Sequence, residues 1–436
     1  MTDVFYRSPA SEYPQISHGE GIYLWDTTGK RYLDGASGAL VANLGHGRQE
    51  IAQAMAAQAG RVAFAHTMRF TSAAQEELAA RIARLLPYGL RHTYPVSGGS
   101  EATETAIKLA RQYFLEIGQP QRFRVLARWA SYHGNSLGAL SASGHLARRR
   151  PYAPLLSDAF AHFPPPDSAC PGPGADGECD CTRALRAALE QSDPATVAAI
   201  LLEPVGGSAL SGLVPHDGYF EAVRRIADEY GILLIADEVM TGFGRTGEIL
   251  GMCHFETAPD LITAAKGLSG GYAPLGAVIA GDRVYGAIRG GSGRFAHGFT
   301  YGGHPVACAA GAKALEILER EQLVDNARRM GALLRAGLED LAQRFPAVQE
   351  VRGLGLMQGL VLQTAPNPGA YATRLSDIAF ADGLIVYAGS GGPEGVLGDH
   401  VLIAPPLVVD AAGVQELLDL LAAAFATLAS LVRSDA

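Results

Sequence analysis

The sequence Asp260-Leu-Ile-Thr-Ala-Ala-Lys266-Gly-Leu-Ser-Gly-Gly271 places one lysine between a short apolar segment and a glycine-rich turn. A lysine in such an uncharged run has little contact with water, so we expect burial to lower the pKa of Lys266 below its free value of about 10.4. A neutral amine is a nucleophile, and it commonly forms a Schiff base with an aldehyde. The alternative is a loop lysine whose ammonium group reaches solvent.

The composition limits the classes of function. The chain has 436 residues, of which 48% are hydrophobic and 18% charged, so it can form two domains and a large core. A net charge of −9 argues against nucleic acid as a partner, because binding phosphates needs an excess of Lys and Arg. Residues 1–15 are polar and predict no signal peptide, and five cysteines in 436 residues fit a reducing cytoplasm. Residues 417–432 include Asp419, and we expect them to be too short and too polar to span a membrane.

Strand–loop–helix units begin near Arg91 and predict the main sheet. Apolar runs at residues 93–96, 124–128, 197–202 and 232–236 alternate with amphipathic helices. This alternation is typical of an α/β fold with a mostly parallel sheet covered on both faces, which binds ligands at the carboxyl ends of its strands. We expect residues 60–320 to form this large domain, and residues 1–59 and 321–436 to form a smaller α+β domain.

The segment 164–181 is rich in proline and glycine and contains Cys170, Cys179 and Cys181. Three cysteines so close together can bind a metal ion. A zinc site at short spacing, however, needs a second Cys-x-x-Cys pair or a following pair of histidines. The spacing therefore predicts an exposed insertion and no metal site.

A Schiff-base lysine serves pyridoxal phosphate only with an anion site, a carboxylate at the ring nitrogen and a flat group against the ring. The turn Ser97-Gly98-Gly99-Ser100 precedes a predicted helix, whose free N–H groups suit a phosphate. Such turns are also common without a ligand. Thr300 lies in a glycine-rich loop, which is either a further phosphate contact or an ordinary connection.

Two further candidates end predicted strands. Asp237 follows an apolar strand, where a poorly solvated carboxylate needs a cationic partner such as a pyridinium N–H. A helix cap or a salt bridge to an arginine is the alternative. Tyr132 ends another strand and presents an aromatic face that suits the ring, although core packing is the favoured explanation for this residue taken alone.

Six motifs occur in order within the span from about Gly21 to Leu407. They are Ser97-Gly-Gly-Ser-Glu-Ala102, Tyr132-His-Gly134, Glu203-Pro204, Asp237-Glu-Val-Met-Thr-Gly-Phe-Gly-Arg-Thr-Gly247, Ala265-Lys-Gly-Leu-Ser-Gly-Gly-Tyr-Ala-Pro-Leu-Gly276 and Thr300-Tyr-Gly-Gly-His-Pro305. The set resembles the class III pyridoxal-phosphate aminotransferases, the ω-aminotransferases of fold type I. Several motifs in one order are far more specific than any one of them.

The resemblance implies a role for each motif residue. Lys266 matches the Schiff-base lysine, Asp237 the partner of the ring nitrogen, and Tyr132 the stacking aromatic. The remaining cofactor contacts are Val239 behind the ring, Glu203 near it, Ser97, Gly98, Gly99 and Ser100 at the phosphate, His133 in the same motif as Tyr132, and Thr300 from the partner subunit. His133 is interpreted mainly as scaffold, together with Glu238 and Arg245.

The resemblance also implies a homodimer, or a dimer of dimers, with active sites at the subunit interface. In the implied reaction, an amine or ω-amino acid gives its amino group to a keto acid or aldehyde with ping-pong kinetics. Lys266 takes the Cα proton and returns it at C4′ of the cofactor, acting first as base and then as acid.

One departure from the family pattern affects the substrate. Many members carry an arginine after the Pro-Pro-Leu segment that grips a substrate carboxylate, and Pro405-Pro-Leu-Val-Val-Asp-Ala411 has none. Arg69 and Arg150 are candidate substitutes. Leu40 and Val41 predict a fairly apolar pocket that suits amine or hydrophobic donors.

Three alternatives share some of these features. An aminomutase or a decarboxylating transaminase would keep the cofactor and change the reaction. A non-catalytic binding protein would keep the fold without turnover, although the intact set of Lys266, Asp237 and Tyr132 argues against it. A nicotinamide dehydrogenase needs a Gly-x-Gly-x-x-Gly fingerprint, which the phosphate turn lacks.

Overall fold

The computed structural model describes residues 3–166, 170, 172, 174, 177–363, 370–390 and 399–434. The strands in these ranges are β1 (Ile16–Glu20), β2 (Tyr23–Asp26), β3 (Arg31–Asp34), β4 (His92–Val96), β5 (Arg124–Arg128), β6 (Phe160–Phe163), β7 (Val197–Leu202), β8 (Leu233–Asp237), β9 (Leu261–Ala264), β10 (Gly276–Ala280), β11 (Val348–Leu354), β12 (Met357–Leu362), β13 (Leu384–Ile385), β14 (Tyr387–Ser390) and β15 (Asp399–Ile403). The α-helices are α1 (Ser37–Leu40), α2 (Gln49–Arg61), α3 (Ala73–Leu85), α4 (Gly99–Glu116), α5 (Leu137–Ala142), α6 (Leu146–Arg149), α7 (Asp180–Gln191), α8 (Tyr219–Glu229), α9 (Asp282–Gly290), α10 (Pro305–Arg320), α11 (Leu323–Arg344), α12 (Ala370–Ala381) and α13 (Ala411–Ser434). Short 3-10 turns lie at Arg150–Leu155, Pro194–Thr196, Gly251–Phe255 and Lys266–Leu268.

The central sheet has the strand order β4-β10-β9-β8-β7-β5-β6. Neighbouring strands from β9 to β6 are parallel. Strand β10 pairs antiparallel with both β9 and β4, so β4 runs in the same direction as β9. The mostly parallel sheet that the sequence predicts is therefore confirmed, and the carboxyl ends of all its strands except β10 meet at one edge.

Helices cover both faces of this sheet because its strands are apolar on both sides. Val125 packs on the face covered by α4 and α9, and the next residue, Leu126, packs on the face covered by α7 and α8. Helix α8 ends before Gly231, which adopts the left-handed backbone with φ +64°. The two helix layers hold the strands, and so the residues at their carboxyl ends, in fixed positions.

Two smaller sheets lie outside the central one. The first has the order β1-β2-β3-β13, and the second has the order β11-β12-β15-β14. The N-terminal hairpin joins a C-terminal segment, because Leu384 of β13 pairs in parallel with Leu33 of β3. This pairing supports a small domain built from both ends of the chain, although its boundaries at residues 59 and 320 stay a prediction. Strands β13 and β14 are neighbours in the sequence but belong to different sheets.

The last helix corrects the expectation for residues 417–432. Helix α13 is longer than that segment, and its stretch Ala411–Leu431, with a mean hydropathy of 1.5, is long and apolar enough to cross a membrane. One face of the helix is buried at helical spacing through Val414, Leu417, Leu421 and Phe425. The Phe425 ring stacks on Phe345 of the segment after α11, with centroids 5.4 Å apart. Packing on the protein core accounts for the apolar residues of that face.

Candidate active site

A cavity of about 200 Å³ opens at the carboxyl edge of the central sheet. Its wall is formed by Gly99, Ser100, Tyr132, His133, Gly134, Glu203, Val205, Asp237, Val239, Met240, Ala265 and Lys266. The structure thus brings together residues from five separate motifs at the place where an α/β sheet binds its ligand.

Lys266 follows β9 and lies in a tight turn. Its backbone adopts φ +42°, a conformation that is uncommon for a residue with a side chain. Burial lowers the pKa of Lys266 to about 8, while the negative charges of Asp237 and Glu203 act in the opposite direction. The direction agrees with the expectation from the sequence. At the next residue, a Cβ on Gly267 would lie 2.3 Å from Nδ2 of Asn43, so a side chain there would require the buried Asn43 amide to move.

Asp237 ends β8 with its carboxylate fully oriented by neighbours. Its Oδ2 lies 2.6 Å from Nδ1 of His133, and its Oδ1 accepts hydrogen bonds from Oγ1 of Thr263 at 3.0 Å and from the Val239 amide at 3.1 Å. The side chains of Asp237 and His133 are only 4% and 0% exposed. His133 therefore orients the acid, which agrees with its interpretation as scaffold. The contribution of Thr263 is not apparent from the sequence, because it depends on the pairing of β8 with β9.

The phosphate turn leads into α4, which begins at Gly99. The first amides of a helix have no partner within the helix, so those of Gly99 and Ser100 are available to an anion. Glu101 accepts a hydrogen bond from the Ser97 amide at 2.8 Å, and Oγ of Ser100 accepts one from the Asn135 amide at 2.9 Å. Gly99 and Ser100 line the cavity. Ser97 and Gly98 come just before them and are not part of the wall.

Tyr132 is half-buried and carries a cation on its ring. The guanidinium carbon of Arg148 lies 4.6 Å from the ring centroid. The positive charge of Arg148 also contributes to lowering the pKa of Lys266, so this arginine lies near the cavity. The sequence does not single out Arg148, because three consecutive arginines at 148–150 give no sign of which one points toward the site.

The neighbours of Arg148 point elsewhere. Nη1 of Arg149 donates to the backbone carbonyls of Leu140, Ser141 and Ser143. Arg150 is exposed and lines a different cavity, beside Trp129 and His162. The structure therefore places Arg150 apart from the wall that contains Lys266.

Glu203 follows β7 and is 4% exposed. Burial raises the pKa of Glu203, and the positive charges of His133 and Arg128 oppose that shift. Its Oε1 accepts a hydrogen bond from the Gly207 amide at 3.1 Å. Among the residues that the structure describes, none offers a hydrogen-bond partner to its Oε2. One oxygen of this acid is thus left for a ligand.

Three other candidates lie outside the cavity wall. Leu40 is 1% exposed and packs in an apolar cluster with Val205, which does line the cavity, so Leu40 supports the wall from behind. Arg69 is exposed. Thr300 is also exposed and lines a second cavity beside His66, Thr67 and Met68.

Two motif residues are structural, as the sequence predicts. Glu238 is buried, which raises the pKa of its carboxyl to about 7, and it accepts hydrogen bonds from the amides of Gly251 at 2.8 Å and Met252 at 2.9 Å. Arg245 is buried and donates to the carbonyls of Leu356 and Pro405 at 3.0 and 2.6 Å. Neither residue lines the cavity.

The expectation of an exposed cysteine insertion is wrong for two of the three cysteines. Cys179 and Cys181 are 4% and 7% exposed, because they lie at the start of α7, which packs against the central sheet and α8. Cys170 is partly buried. The sequence does not reveal this burial, since the preceding loop has the composition of a solvent-exposed connection.

The cavity residues fit pyridoxal phosphate. Nε2 of His133 and Oε2 of Glu203 are buried polar atoms that lack a partner within the described residues, which is unusual unless a ligand or water completes the site. The same cavity combines an amine of lowered pKa, a buried carboxylate, an aromatic ring and a helix N-terminus. These are the groups that the phosphate, pyridine ring and aldehyde of the cofactor need.

Comparison with known proteins gives a consistent result. The family model for aminotransferase class-III matches residues 7–425. A putrescine–pyruvate aminotransferase of Pseudomonas aeruginosa is 34% identical over 419 residues, which are 93% of this chain and 89% of that protein. An (S)-enantioselective omega-transaminase from Thermomicrobium roseum is 38% identical, with a TM-score of 0.88 over 97% of this chain and 96% of that one. A PLP-bound amine transaminase from an uncultivated Pseudomonas species is 34% identical, with a TM-score of 0.90 over 98% and 99%.

The family match, the structural likeness and the cavity lead to one assignment. The family match covers nearly the whole chain, and the fold agrees with that of solved transaminases over nearly the same length. The α/β fold with a mostly parallel central sheet is that of fold type I. This chain therefore belongs to the class III aminotransferases, enzymes that use pyridoxal phosphate to transfer amino groups.

Proposed function

We propose that this aminotransferase takes its amino group from a primary amine or ω-amino acid and gives it to a keto acid or aldehyde in the cavity around Lys266. The observation that carries the proposal is the buried Lys266 amine, of lowered pKa, in one cavity with the buried acids Asp237 and Glu203. Apolar Val205 and Met240 in the wall suit the carbon chain of an amine donor.

The cofactor residues follow from the wall of the cavity. The amides of Gly99 and Ser100 would bind the phosphate, and Asp237 would accept the N–H of the ring nitrogen. Tyr132 and Val239 would hold the ring between them. When bound, pyridoxal phosphate supplies an electron sink that makes the Cα–H bond of the amine donor acidic.

Lys266 moves the proton. With a pKa of about 8, roughly one amine in ten is neutral at pH 7, against roughly one in 2,500 for a free lysine. The neutral Nζ would take the proton from Cα of the donor as a general base, and the resulting ammonium would deliver it at C4′ of the cofactor as a general acid. The second half of the ping-pong cycle runs the same transfers in reverse for the acceptor.

Arg148 is the proposed contact for a carboxylate. It is the arginine that stacks on Tyr132 and acts electrostatically on Lys266. The relative from Pseudomonas aeruginosa is named for putrescine and pyruvate, a donor without a carboxylate and an acceptor with one. A cation near a wall that also contains apolar Val205 and Met240 suits both kinds of substrate, because the guanidinium pairs with the acid and the apolar side chains contact the carbon chain of the amine.

A substrate panel tests this proposal. Diamines, ω-amino acids and arylalkylamines are offered as donors with either pyruvate or a neutral aldehyde as acceptor. Arg148→Ala should lower kcat/KM for pyruvate by at least about tenfold, because a charge-assisted hydrogen bond contributes about 1.5–3 kcal/mol, and should spare the aldehyde. Arg150→Ala is the matched control and should leave both acceptors unchanged. Equal losses in the two variants, or equal losses for both acceptors, would exclude this role for Arg148.

The same assay separates the alternative reactions. A transaminase needs a carbonyl acceptor and forms one carbonyl product for each amino group transferred, whereas an aminomutase needs no acceptor. A decarboxylating enzyme releases CO2. Failure of every donor to change the absorbance of the bound cofactor would instead favour the non-catalytic alternative.

The homodimer is part of the proposal. Thr300 and its neighbour Tyr301 are exposed and lie away from the cavity wall in their own chain, as expected for residues that act on a partner's site. Phe64, Met68 and Phe70 are exposed close by, and the Phe64 ring contacts the Tyr301 ring with centroids 6.0 Å apart. A concentration of exposed apolar side chains supports a subunit interface there. The cytoplasmic location and the dimer of dimers stay predictions.

A further inference from the structure

Four side chains with metal-binding atoms meet at a place outside the cavity around Lys266. They are Cys170, Cys179, Cys181 and His216, and one ligand atom from each lies within 4.8 Å of every other. Sγ of Cys179 lies 3.2 Å from Nε2 of His216. Cys179 and Cys181 stand at the start of α7, and His216 lies in the loop that precedes α8.

The ring of His216 is oriented for coordination. Its Nδ1 lies 2.8 Å from the backbone carbonyl of Asp217, and a carbonyl oxygen can only accept a hydrogen bond. Nδ1 therefore carries a hydrogen, and Nε2 is the ring atom that faces the sulfur of Cys179. Metal-bound histidines are commonly fixed in this way, by a hydrogen bond from the other ring nitrogen to a carbonyl or carboxylate.

The sulfur atoms lie close together in a buried place. Cys179 is the N-cap of α7 and Cys181 is its second residue, so both belong to the first turn of that helix. Both are more than nine-tenths buried. Such a concentration of sulfur ligands around one point suits a cation that lies between them.

The loop between the cysteines is built to turn back on itself. Gly172 and Gly177 adopt left-handed backbones, with φ +89° and φ +74°. The carbonyl of Gly177 accepts a hydrogen bond at 2.5 Å from the guanidinium of Arg225 on α8. This contact holds the loop beside the same helix that follows His216, so the fourth group is brought to the three cysteines by the fold.

We propose that Cys170, Cys179, Cys181 and His216 bind a structural zinc ion through three sulfur atoms and Nε2. A tetrahedral site with Zn–S bonds of about 2.3 Å has sulfur atoms about 3.8 Å apart, which agrees with ligand atoms that all lie within 4.8 Å. Thiolate and imidazole ligands select zinc over magnesium or calcium. Four protein ligands leave no open position, so the ion is structural and takes no part in amino transfer.

The fold explains why the cysteine spacing alone predicts no metal. His216 is separated from Cys181 by α7 and β7, and only the packing of α7 against α8 brings it back. The zinc would join the loop before α7 to the segment that runs from Glu203, on the cavity wall, to α8. It would thereby stabilise one side of the active site without contacting a substrate.

Metal analysis of the full-length protein tests the proposal. Protein expressed with added zinc and purified under reducing conditions should contain about one zinc ion per chain. Cys179→Ser and His216→Ala should each lower the zinc content at least about tenfold. Cys253→Ser is the matched control, since Cys253 is partly buried outside the cluster, and it should retain the ion.

X-ray absorption at the zinc edge of the unchanged protein keeps the test independent of how the variants fold. Three sulfur atoms and one nitrogen around the zinc are the expected result. Wild-type protein that holds no zinc, zinc that remains in both variants, or a disulfide among the three cysteines in non-reducing mass spectra would overturn the proposal. None of these readouts depends on transaminase activity.

Discussion

The amine of Lys266 is buried where a charged lysine is unfavourable. Asp237 and Glu203 reduce the energetic cost of its ammonium form but do not remove it, so the pKa still lies near 8 rather than at 10.5. Lys266 also has the left-handed backbone conformation that side chains disfavour. Both features disfavour the folded apoprotein, and both position a neutral amine toward the cavity. At this position the folded apoprotein is less stable than it would be with an apolar residue, and the Lys266 amine is more reactive than that of an exposed lysine.

Replacing Lys266 with methionine should therefore stabilise the apoprotein. The pKa in the folded state, about 8, lies below the unfolded value of 10.5, so the unfolded chain binds more protons between these pH values. Wild-type stability then rises with pH through this window, and Lys266→Met removes a penalty of up to about 3 kcal/mol at pH 7. Urea unfolding of both apoproteins at pH 7 and pH 10 measures the difference, which should shrink at pH 10. Lys108→Met, at an exposed position of α4, is the control and should show no such pH dependence.

The sequence predicts the site well where one residue has one chemical task. Lys266, Asp237, Tyr132 and Glu203 share the cavity as their motifs predict. The prediction fails where a contact depends on a residue outside the motifs. The cation on Tyr132 is one of three adjacent arginines, and its direction depends on how α6 packs, which local sequence does not encode.

At the scale of secondary-structure elements, Arg245 ties the large sheet to the rest of the chain. Besides its two carbonyl partners, its Nη2 donates to Oγ of Ser37 at 3.1 Å and to Oδ1 of Asn43 at 2.6 Å. Burial lowers the pKa of Arg245 to about 9, and Asp34 opposes the shift. Nδ2 of the same Asn43 side chain lies next to Gly267. The contacts of Arg245 therefore also support the turn that holds Lys266.

Arg245→Met should accordingly destabilise the protein strongly. The change leaves buried acceptors without a donor, and breaking a buried charged network of this kind costs about 3–5 kcal/mol. Arg344→Met, which removes an exposed pair with Asp340, is the matched control and should not change stability measurably. Thermal unfolding of both variants with bound cofactor distinguishes them. A similar midpoint for the two would mean that Arg245 is not a structural tie.

The sequence predicts a strand best when the strand is marked by its own residues and does not depend on pairing with a distant part of the chain. Strands β5 and β7 match the predicted bounds, because each is a continuous run of mostly apolar residues with a clear end. Strands β6, β10 and β11 were not predicted. Strand β10 inserts between β4 and β9, which are far apart in the sequence, so its place depends on long-range pairing that no local pattern reveals.

At the scale of the whole molecule, one chain leaves the proposed site incomplete. Thr300 lines a surface cavity of its own beside Met68, which is 75% exposed, and not the cavity that contains Lys266. Two chains related by a two-fold axis can supply each other's missing residue through a self-complementary interface. The proposal that Thr300 acts on the partner's cofactor therefore makes activity a property of the pair.

Mixing two inactive variants tests that pairing. Lys266→Ala removes the amine and keeps Thr300, whereas Thr300→Ala keeps the amine and weakens the phosphate contact, so each homodimer should have low activity at limiting cofactor. When the two chains are unfolded together and refolded, half of the dimers should be mixed, by random pairing of equal amounts.

If Thr300 acts across the interface, each mixed dimer has one site with both groups intact, and activity rises well above that of either variant. If it acts within its own chain, every site in the mixed dimer still lacks one group and mixing restores nothing. Sedimentation of the mixture as a dimer, with activity no higher than the average of the two variants, would therefore reject the shared site while leaving the dimer itself in place.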